Sequence, residues 1–364
     1  MDIYYVHYLT SANTDFGVKN KIKSQLASFE ANGFNTFDIE IKRKIHDSLL
    51  TKIIRHLYPE PVPPLLLNIK NSVIYFRGSL VDINHYQLFK KLKKQGNIIA
   101  FEIPTFPFKK ECKGLRRLQY YLHLLWIWQV KKNIDFFVGI SYYSKIYNTD
   151  TVSTENGINP LLYTLKKQQE LEKTINVIIV AHLCNYHGVD RFISGLANYY
   201  QKKNNQFLIN LHIVGDGQIT DELKQMAIDL GVSQYCIFYG LKTGDELDSL
   251  YDQAHIGLAS IGLHRINIFE ASVLKSREYF AKGLPFITSV RIPDIPDKLE
   301  YIKFIPANDT PVSIDEIITY TKKVYTIPDF DLQIRNWTES NLSWTKKMKP
   351  VIDKINEITK LKTN

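Results

Sequence analysis

The sequence predicts an α/β protein in two halves, each a parallel sheet flanked by helices. Three observations predict it. At 364 residues the chain is long for a single core, so two domains are expected. Residues 175–262 repeat strand, glycine turn and helix regularly enough to indicate a Rossmann-like half on pattern alone. The N-terminus opens in the same way, with an apolar strand, a loop and an amphipathic helix.

Composition narrows the function classes. A hydrophobic fraction of 45% and a charged fraction of 23% belong to a globular protein. Lys and Arg (46) exceed Asp and Glu (37), and the net charge of +9 suits an anionic membrane face, phosphorylated substrates or nucleic acid. Cys112, Cys184 and Cys236 are odd in number and lack C-x-x-C spacing, which argues against a disulfide framework or a zinc site and for a reducing compartment. The start MDIYYVHYLT lacks a basic n-region and a long apolar h-region, and no window reaches the ~20 apolar residues that span a bilayer. The expected location is cytoplasmic, free or peripheral on the inner face of the plasma membrane.

In the first half, residues 2–8 read as a strand, and Gly17 lies in the loop before a helix carrying Val18, Ile22, Leu26 and Phe29. No G-x-G-x-x-G follows the strand, so a dinucleotide site is not expected there. The strand at 71–80 runs into Arg77-Gly78, and the strand at 97–108 empties into the stiff loop Pro104-Thr105-Phe106-Pro107. Ligands of such sheets sit at strand carboxyl ends, which places Arg77, Glu102 and Thr105 at a cleft. Residues 113–132 carry a narrow polar stripe (Arg116, Gln119, His123) among Leu115, Leu118, Leu122, Leu125, Trp126 and Trp128, with basic residues at both ends. An in-plane membrane helix and a core helix both fit that wide apolar face. Asn156-Gly157 is a turn signal, and the polar run 165–173 reads as the interdomain linker.

In the second half, the apolar strand at 175–184 leads through Asn185-Tyr186-His187-Gly188 into a helix with Val189, Phe192, Ile193, Leu196 and Tyr199 inward. The strand at 207–218 ends in Gly215-Asp216-Gly217, where glycine permits close backbone approach to a ligand. Residues 264–287, HRINIFEASVLKSREYFAKGLPFI, place Glu270 and Glu278 with seven residues between them. A helix is expected from about Ser272, as N-cap, with Leu274, Glu278 and Ala281 along one side and Gly283 and Pro285 ending it. The free N–H groups of its start attract phosphate, and carboxylates on either side accept hydrogen bonds from sugar hydroxyls. A nucleotide-sugar has that layout, although two surface carboxylates with Lys275 and Arg277 solvated beside them fit the spacing equally. Asp329-Phe330-Asp331 has D-x-D form but no preceding apolar strand, so it is not read as a metal site. Residues 342–358 form a helix with Trp344, Met348, Val351 and Ile355 on one face.

The stretch 264–287 resembles the donor-binding signature of glycosyltransferase family 4, and LKSREYFAKGLPF is similar to the LK-x-x-EY-x-A-x-G-x-P form of its bacterial surface-polysaccharide subgroup. EIPTFPF (102–108) is similar to that subgroup's EIPT-x-P-x loop, Asn156-Gly157-Ile158-Asn159 resembles its NG-I-D element, and Gly17-Val18 with Lys19 and Lys21 resembles its acceptor-side glycine loop. The resemblance implies the GT-B fold: two Rossmann-like domains, 1–165 and 172–335, facing a central cleft, with a terminal helix at 340–364 crossing back to the first. It implies a retaining, metal-independent hexosyltransferase with no cofactor beyond its nucleotide-sugar donor. By the same resemblance Glu278 binds the ribose hydroxyls, Glu270 contacts the donor sugar, and Lys275, Arg191 and Arg265 meet phosphate. Glu270, Arg265 and Lys275 form the catalytic set, and Leu274, Ser276, His182, His187, Gly188 and Gly215 line the donor. Gly17, Arg77, Glu102 and Thr105 face the acceptor, a saccharide or lipid-linked intermediate of capsule, exopolysaccharide or lipopolysaccharide synthesis. Nucleic acid is not an expected partner.

The chain departs from the family where an Arg and a Lys usually grip the diphosphate; His182 and His187 stand there, and His255 replaces a usual acid. A GT-B sugar-nucleotide epimerase and a non-catalytic partner of another glycosyltransferase remain as alternatives.

Overall fold

A computed structural model describes residues 1–9, 16–42, 62–104, 106, 116–140, 145–202 and 205–363. It divides into two compact units, Met1–Asn156 with Trp344–Asn364, and Gly157–Ser343. Thr105 and the start of the 113–132 stretch lie outside the described residues.

The first unit is a seven-stranded sheet of β1 (Asp2–Leu9), β2 (Asn35–Lys42), β3 (Val73–Arg77), β4 (Ile98–Ile103), β5 (Phe136–Ile140), β6 (Lys145–Ile146) and β7 (Thr149–Thr154). Their order is β2-β1-β3-β4-β5-β7-β6, parallel except for the β6/β7 pair. Helices α1 (Phe16–Glu30), α2 (Ile83–Lys94) and α3 (Arg116–Val130) join these strands. Both faces of the sheet are covered, which is why β3 and β4 read as nearly continuous apolar runs. Alternate side chains divide between the faces: Ile74 and Phe76 pack with Leu88, Phe89 and Ile127. Val73 and Tyr75 pack with Phe29 and with Trp344, Met348, Val351 and Ile355 of the C-terminal helix Trp344–Thr363. Gly17 lies in the first turn of α1 and not in the loop before it, because the helix starts one residue earlier than the glycine signal suggests.

The second unit holds β8 (Thr174–Val180), β9 (Leu208–Val214), β10 (Cys236–Gly240), β11 (Ile256–Leu258), β12 (Phe286–Thr288) and β13 (Ile302–Phe304). They form an all-parallel sheet ordered β10-β9-β8-β11-β12-β13. Its helices are α4 (Val189–Tyr200), α5 (Thr220–Asp229), α6 (Gly244–Gln253), α7 (Leu274–Ala281), α8 (Ile314–Tyr325) and α9 (Phe330–Leu342). The chain leaves β8 toward β9 on one side and returns as β11 on the other. Such a reversal opens a crevice at the carboxyl ends of those two central strands. In the first unit β1 stands in the same position, between β2 and β3.

Two local readings change. The polar run 165–173 belongs to the second unit and is no free linker: Lys166 N donates to Lys282 O (3.1 Å) and Lys167 N to Asp252 Oδ1 (2.9 Å). Helix α7 starts at Leu274, so Val273 stands at its N-cap and no side chain among the described residues caps it. Ser272, expected as the cap, instead accepts a hydrogen bond from Arg277 Nη2 through its hydroxyl (2.7 Å). The helix stops at Gly283 as expected, whose φ of +68° is the left-handed conformation that glycine takes without strain.

Candidate functional site

The loops that leave β8 and β11 are held against each other. Ile261 N donates to His187 O (3.0 Å), and Gly188 has a φ of +73°. A Cβ at Gly188 would lie 2.8 Å from Gly262 N, so only glycine lets the two loops approach. Gly215, at the end of β9, has a φ of +116°, and a Cβ there would stand 2.0 Å from Ala181 O. The glycines in both places therefore press the strand-end loops together beside the start of α7.

Lys275 lies in the first turn of α7. Its Nζ is buried and has no hydrogen-bond partner among the described residues. Burial pushes the ammonium down to about 7, against the opposing pull of Glu278 and Cys184. His187 is buried and pushed down to about 3, first by burial and then by Lys275 and His182. Its Nδ1 accepts from Cys184 N (3.3 Å), so the neutral ring carries its proton on Nε2. Glu278 accepts from Tyr163 Oη (3.3 Å), and burial raises its carboxyl against the opposing effects of Tyr163, Lys275 and Lys282. A buried ammonium, an imidazole N–H and a helix start favour an anion, and a neighbouring carboxylate accepts from hydroxyl groups.

Leu274 and Ser276 flank Lys275 on α7, with Ser276 buried. His182 is exposed and is not a core histidine. Two expected phosphate ligands are engaged elsewhere. Arg191 is buried and donates to three carbonyls: Thr310 O (2.9 Å), Pro306 O (3.0 Å) and Ile261 O. Arg265 makes a two-pronged pair with Asp190 (2.9 and 2.6 Å) and also reaches Asp309 (2.7 Å) and Asn185 O (2.7 Å). Glu270 is exposed and pairs with exposed Arg291 (2.8 Å). Backbone bonds from Ala271 N to Arg291 O and from Arg291 N to Phe269 O hold that loop in place (both 3.0 Å).

Arg277, solvated in the surface-carboxylate alternative, is fully buried and pairs with Asp294 (2.6 Å). Its partner lies 17 residues on, and no spacing rule connects the two. Sequence reasoning also misses Tyr163 and Cys184 as members of the site, because neither belongs to a pattern that carries chemistry on its own.

In the first unit, strand register sets His7, Arg77 and Glu102 side by side at the carboxyl ends of β1, β3 and β4. Glu102 is fully buried and accepts from Tyr75 Oη (2.6 Å), Gln25 Nε2 (2.9 Å) and Arg77, with Lys21 Nζ at 3.2 Å. Burial raises its carboxyl, but Lys21 and Arg77 outweigh that and hold it at about 2. Burial lowers Lys21 to about 8 despite the pull of Glu102. Arg77 and Glu102 thus form one buried cluster at the first sheet's reversal point. Among the described residues, no group of three or more His, Cys, Asp and Glu side chains is placed to hold a metal.

Residues 164–300 match the family described as Glycosyl transferases group 1. An uncharacterized glycosyltransferase of Methanocaldococcus jannaschii is 25% identical over 145 residues, which are 37% of this chain and 35% of that protein. The match therefore spans about a third of that relative's length. Among solved structures, a glycosyltransferase from Rickettsia africae superposes with a TM-score of 0.62 at 12% identity, covering 98% of each chain. The lipopolysaccharide outer core galactosyltransferase WaaB gives 0.58 at 15% identity, covering 97% of this chain and 100% of its own. WaaG, a glycosyltransferase involved in lipopolysaccharide biosynthesis, gives 0.54 at 14%, covering 97% and 99%. Most of the second unit thus matches the group 1 glycosyl transferase family, and the chain as a whole has the GT-B fold of these solved glycosyltransferases.

Proposed function

We propose that this protein is a retaining, metal-independent hexosyltransferase that moves a sugar from a nucleotide-sugar to a saccharide acceptor. The observation that carries the reading is Lys275: a buried ammonium without a hydrogen-bond partner among the described residues, in the first turn of α7 and beside Glu278. A charge so placed is unfavourable until an anion arrives, and the diphosphate of a nucleotide-sugar supplies one. Lys275, the N–H groups of the α7 start and the Nε2–H of His187 then stabilise the diphosphate as it departs. Glu278 accepts hydrogen bonds from the ribose hydroxyls, and Glu270 meets the donor sugar after exchanging its bond to Arg291. Neither carboxylate serves as a nucleophile, so the acceptor attacks from the face the diphosphate leaves and the anomeric configuration is retained.

The acceptor in this reading is a lipid-linked saccharide of surface-polysaccharide synthesis, supported by the EIPTFPF and LKSREYFAKGLPF motifs. Thermal shift against a panel of nucleoside diphosphates and their sugars tests the donor site, since a ligand bound only by the folded state raises its melting temperature. Glu278→Ala should abolish transfer, and anomer-resolved NMR of the product should show retention. An inverted product, or an unchanged rate in the variant, refutes the assignment. Product formed from the donor alone would instead mark an epimerase.

A further inference from the structure

Helix α3 divides its surface between two environments. His123, Ile127 and Val130 are buried on one side. On the other, Leu118, Tyr121, Leu125 and Trp128 are all exposed, Leu125 by 70%. At 100° per residue these four fall within one narrow arc, so they form a continuous apolar stripe. Core packing, one of the two readings the sequence leaves open, thus accounts for one face only, and the other is apolar and exposed.

The charged residues of α3 and α2 are all basic. Between Arg116 and Lys132 the sequence has no Asp or Glu, and neither does α2. Arg117 and Lys132 are exposed at the two ends of the helix, and Lys131 Nζ sits 4.0 Å from the Trp128 ring centroid. On α2, exposed Lys90 stands over Tyr86, whose ring packs 6.0 Å from that of Trp126. Lys91 and Lys94 are exposed on the same helix, whereas Lys93 is taken by Asp135. We propose that the Leu118/Tyr121/Leu125/Trp128 face of α3 docks in the plane of an anionic lipid bilayer, with Arg117, Lys132 and Lys90 meeting its headgroups. The apolar stripe with an aromatic at its edge and cations beside it is the pattern of an interfacial helix. At 15 residues the helix is about 22 Å long, too short to cross a hydrocarbon core of about 30 Å. A second copy is disfavoured as occupant because it would set two acid-free, basic helices against each other. The proposal rests on this surface alone and stands apart from the donor-site reading.

The test is co-sedimentation of the full chain with phosphatidylglycerol–phosphatidylcholine vesicles and with pure phosphatidylcholine vesicles. Binding is expected to the first and to be at least about tenfold weaker to the second. Leu125→Ser with Trp128→Ser should weaken binding at least about tenfold, since the lost contacts are apolar and exposed, and should leave the melting temperature unchanged. Arg117→Glu with Lys132→Glu should reduce binding to the anionic vesicles and leave binding to the neutral ones unaffected. Failure to bind anionic vesicles, or undiminished binding by the Leu125/Trp128 variant, overturns the proposal. So does a wild-type dimer in light scattering that the same variant dissociates, because the face would then be covered by a second copy.

Discussion

Replacing Lys275 by methionine should have opposite effects on the free protein and on its complex. The native ammonium is held at about 7 and the unfolded one at its ordinary 10.5. Between those values the unfolded chain binds the extra proton, so stability rises with pH through the window, and the penalty is fully present below about 7. Discounted for the partial exposure of the side chain, the penalty at pH 7 is on the order of 2–4 kcal/mol. Met keeps the aliphatic stem and carries no charge. At roughly 2–4 °C per kcal/mol for a unit of this size, Lys275→Met should raise the second unit's melting temperature at pH 7 by several degrees. The variant should also lose most of the further rise that a nucleoside diphosphate gives the wild type.

Calorimetric titration checks the charge directly. From about pH 7 to 9 the wild type must take up a proton on binding, so affinity should fall by up to about tenfold per pH unit. His187, held at about 3, contributes nothing in that window. Lys275→Met should give a flat profile. A flat wild-type profile, or a variant that melts lower and binds undiminished, refutes the reasoning.

Arg191→Met should cost about 3–5 kcal/mol in urea unfolding, because three carbonyls lose a charged donor, while nucleotide affinity of the folded protein stays the same. Gly215→Ala should cost about 2–4 kcal/mol by the same measurement, since its Cβ would stand 2.0 Å from Ala181 O at a φ of +116°. Glu102 has its carboxyl lowered from 4.5 to about 2, so its stabilisation is present above about 4.5 and is lost as pH falls toward 2. Glu102→Gln should flatten part of that acid slope and cost about 3–5 kcal/mol at pH 7, where Lys21 and Arg77 would lose the buried carboxylate they share.

Much of the fold is legible in the sequence because its signals are local. The β-branched runs of β8 and β9, the glycine turns after them and the Gly283 stop each act within a few residues of where they are read. Position relative to the strand ends is legible too, since βα connections place loops there by necessity. What is not legible depends on partners distant in sequence. Arg277 and Lys275 are two residues apart on one short helix, yet one is paired with Asp294 and the other has no hydrogen-bond partner among the described residues. The apolar face of α3 is visible in the sequence, but the division between buried and exposed sides depends on α2 and the sheet beneath it.

The same dependence explains why a cation's presence in the right segment says little about its task. Arg191 and Arg265 lie close to the strand-end loops, and each is bound by carbonyls or carboxylates that already satisfy its fork of donors. A guanidinium stays protonated at any physiological pH, so a buried arginine must keep partners whether or not a ligand is present. A lysine can lose its proton instead. In the proposed reaction Lys275, poised near 7, can stand neutral before the diphosphate enters and recover its charge as it does. Arginines therefore hold these loops in shape, and the buried ammonium left without a partner among the described site residues is of the type that tolerates waiting for one.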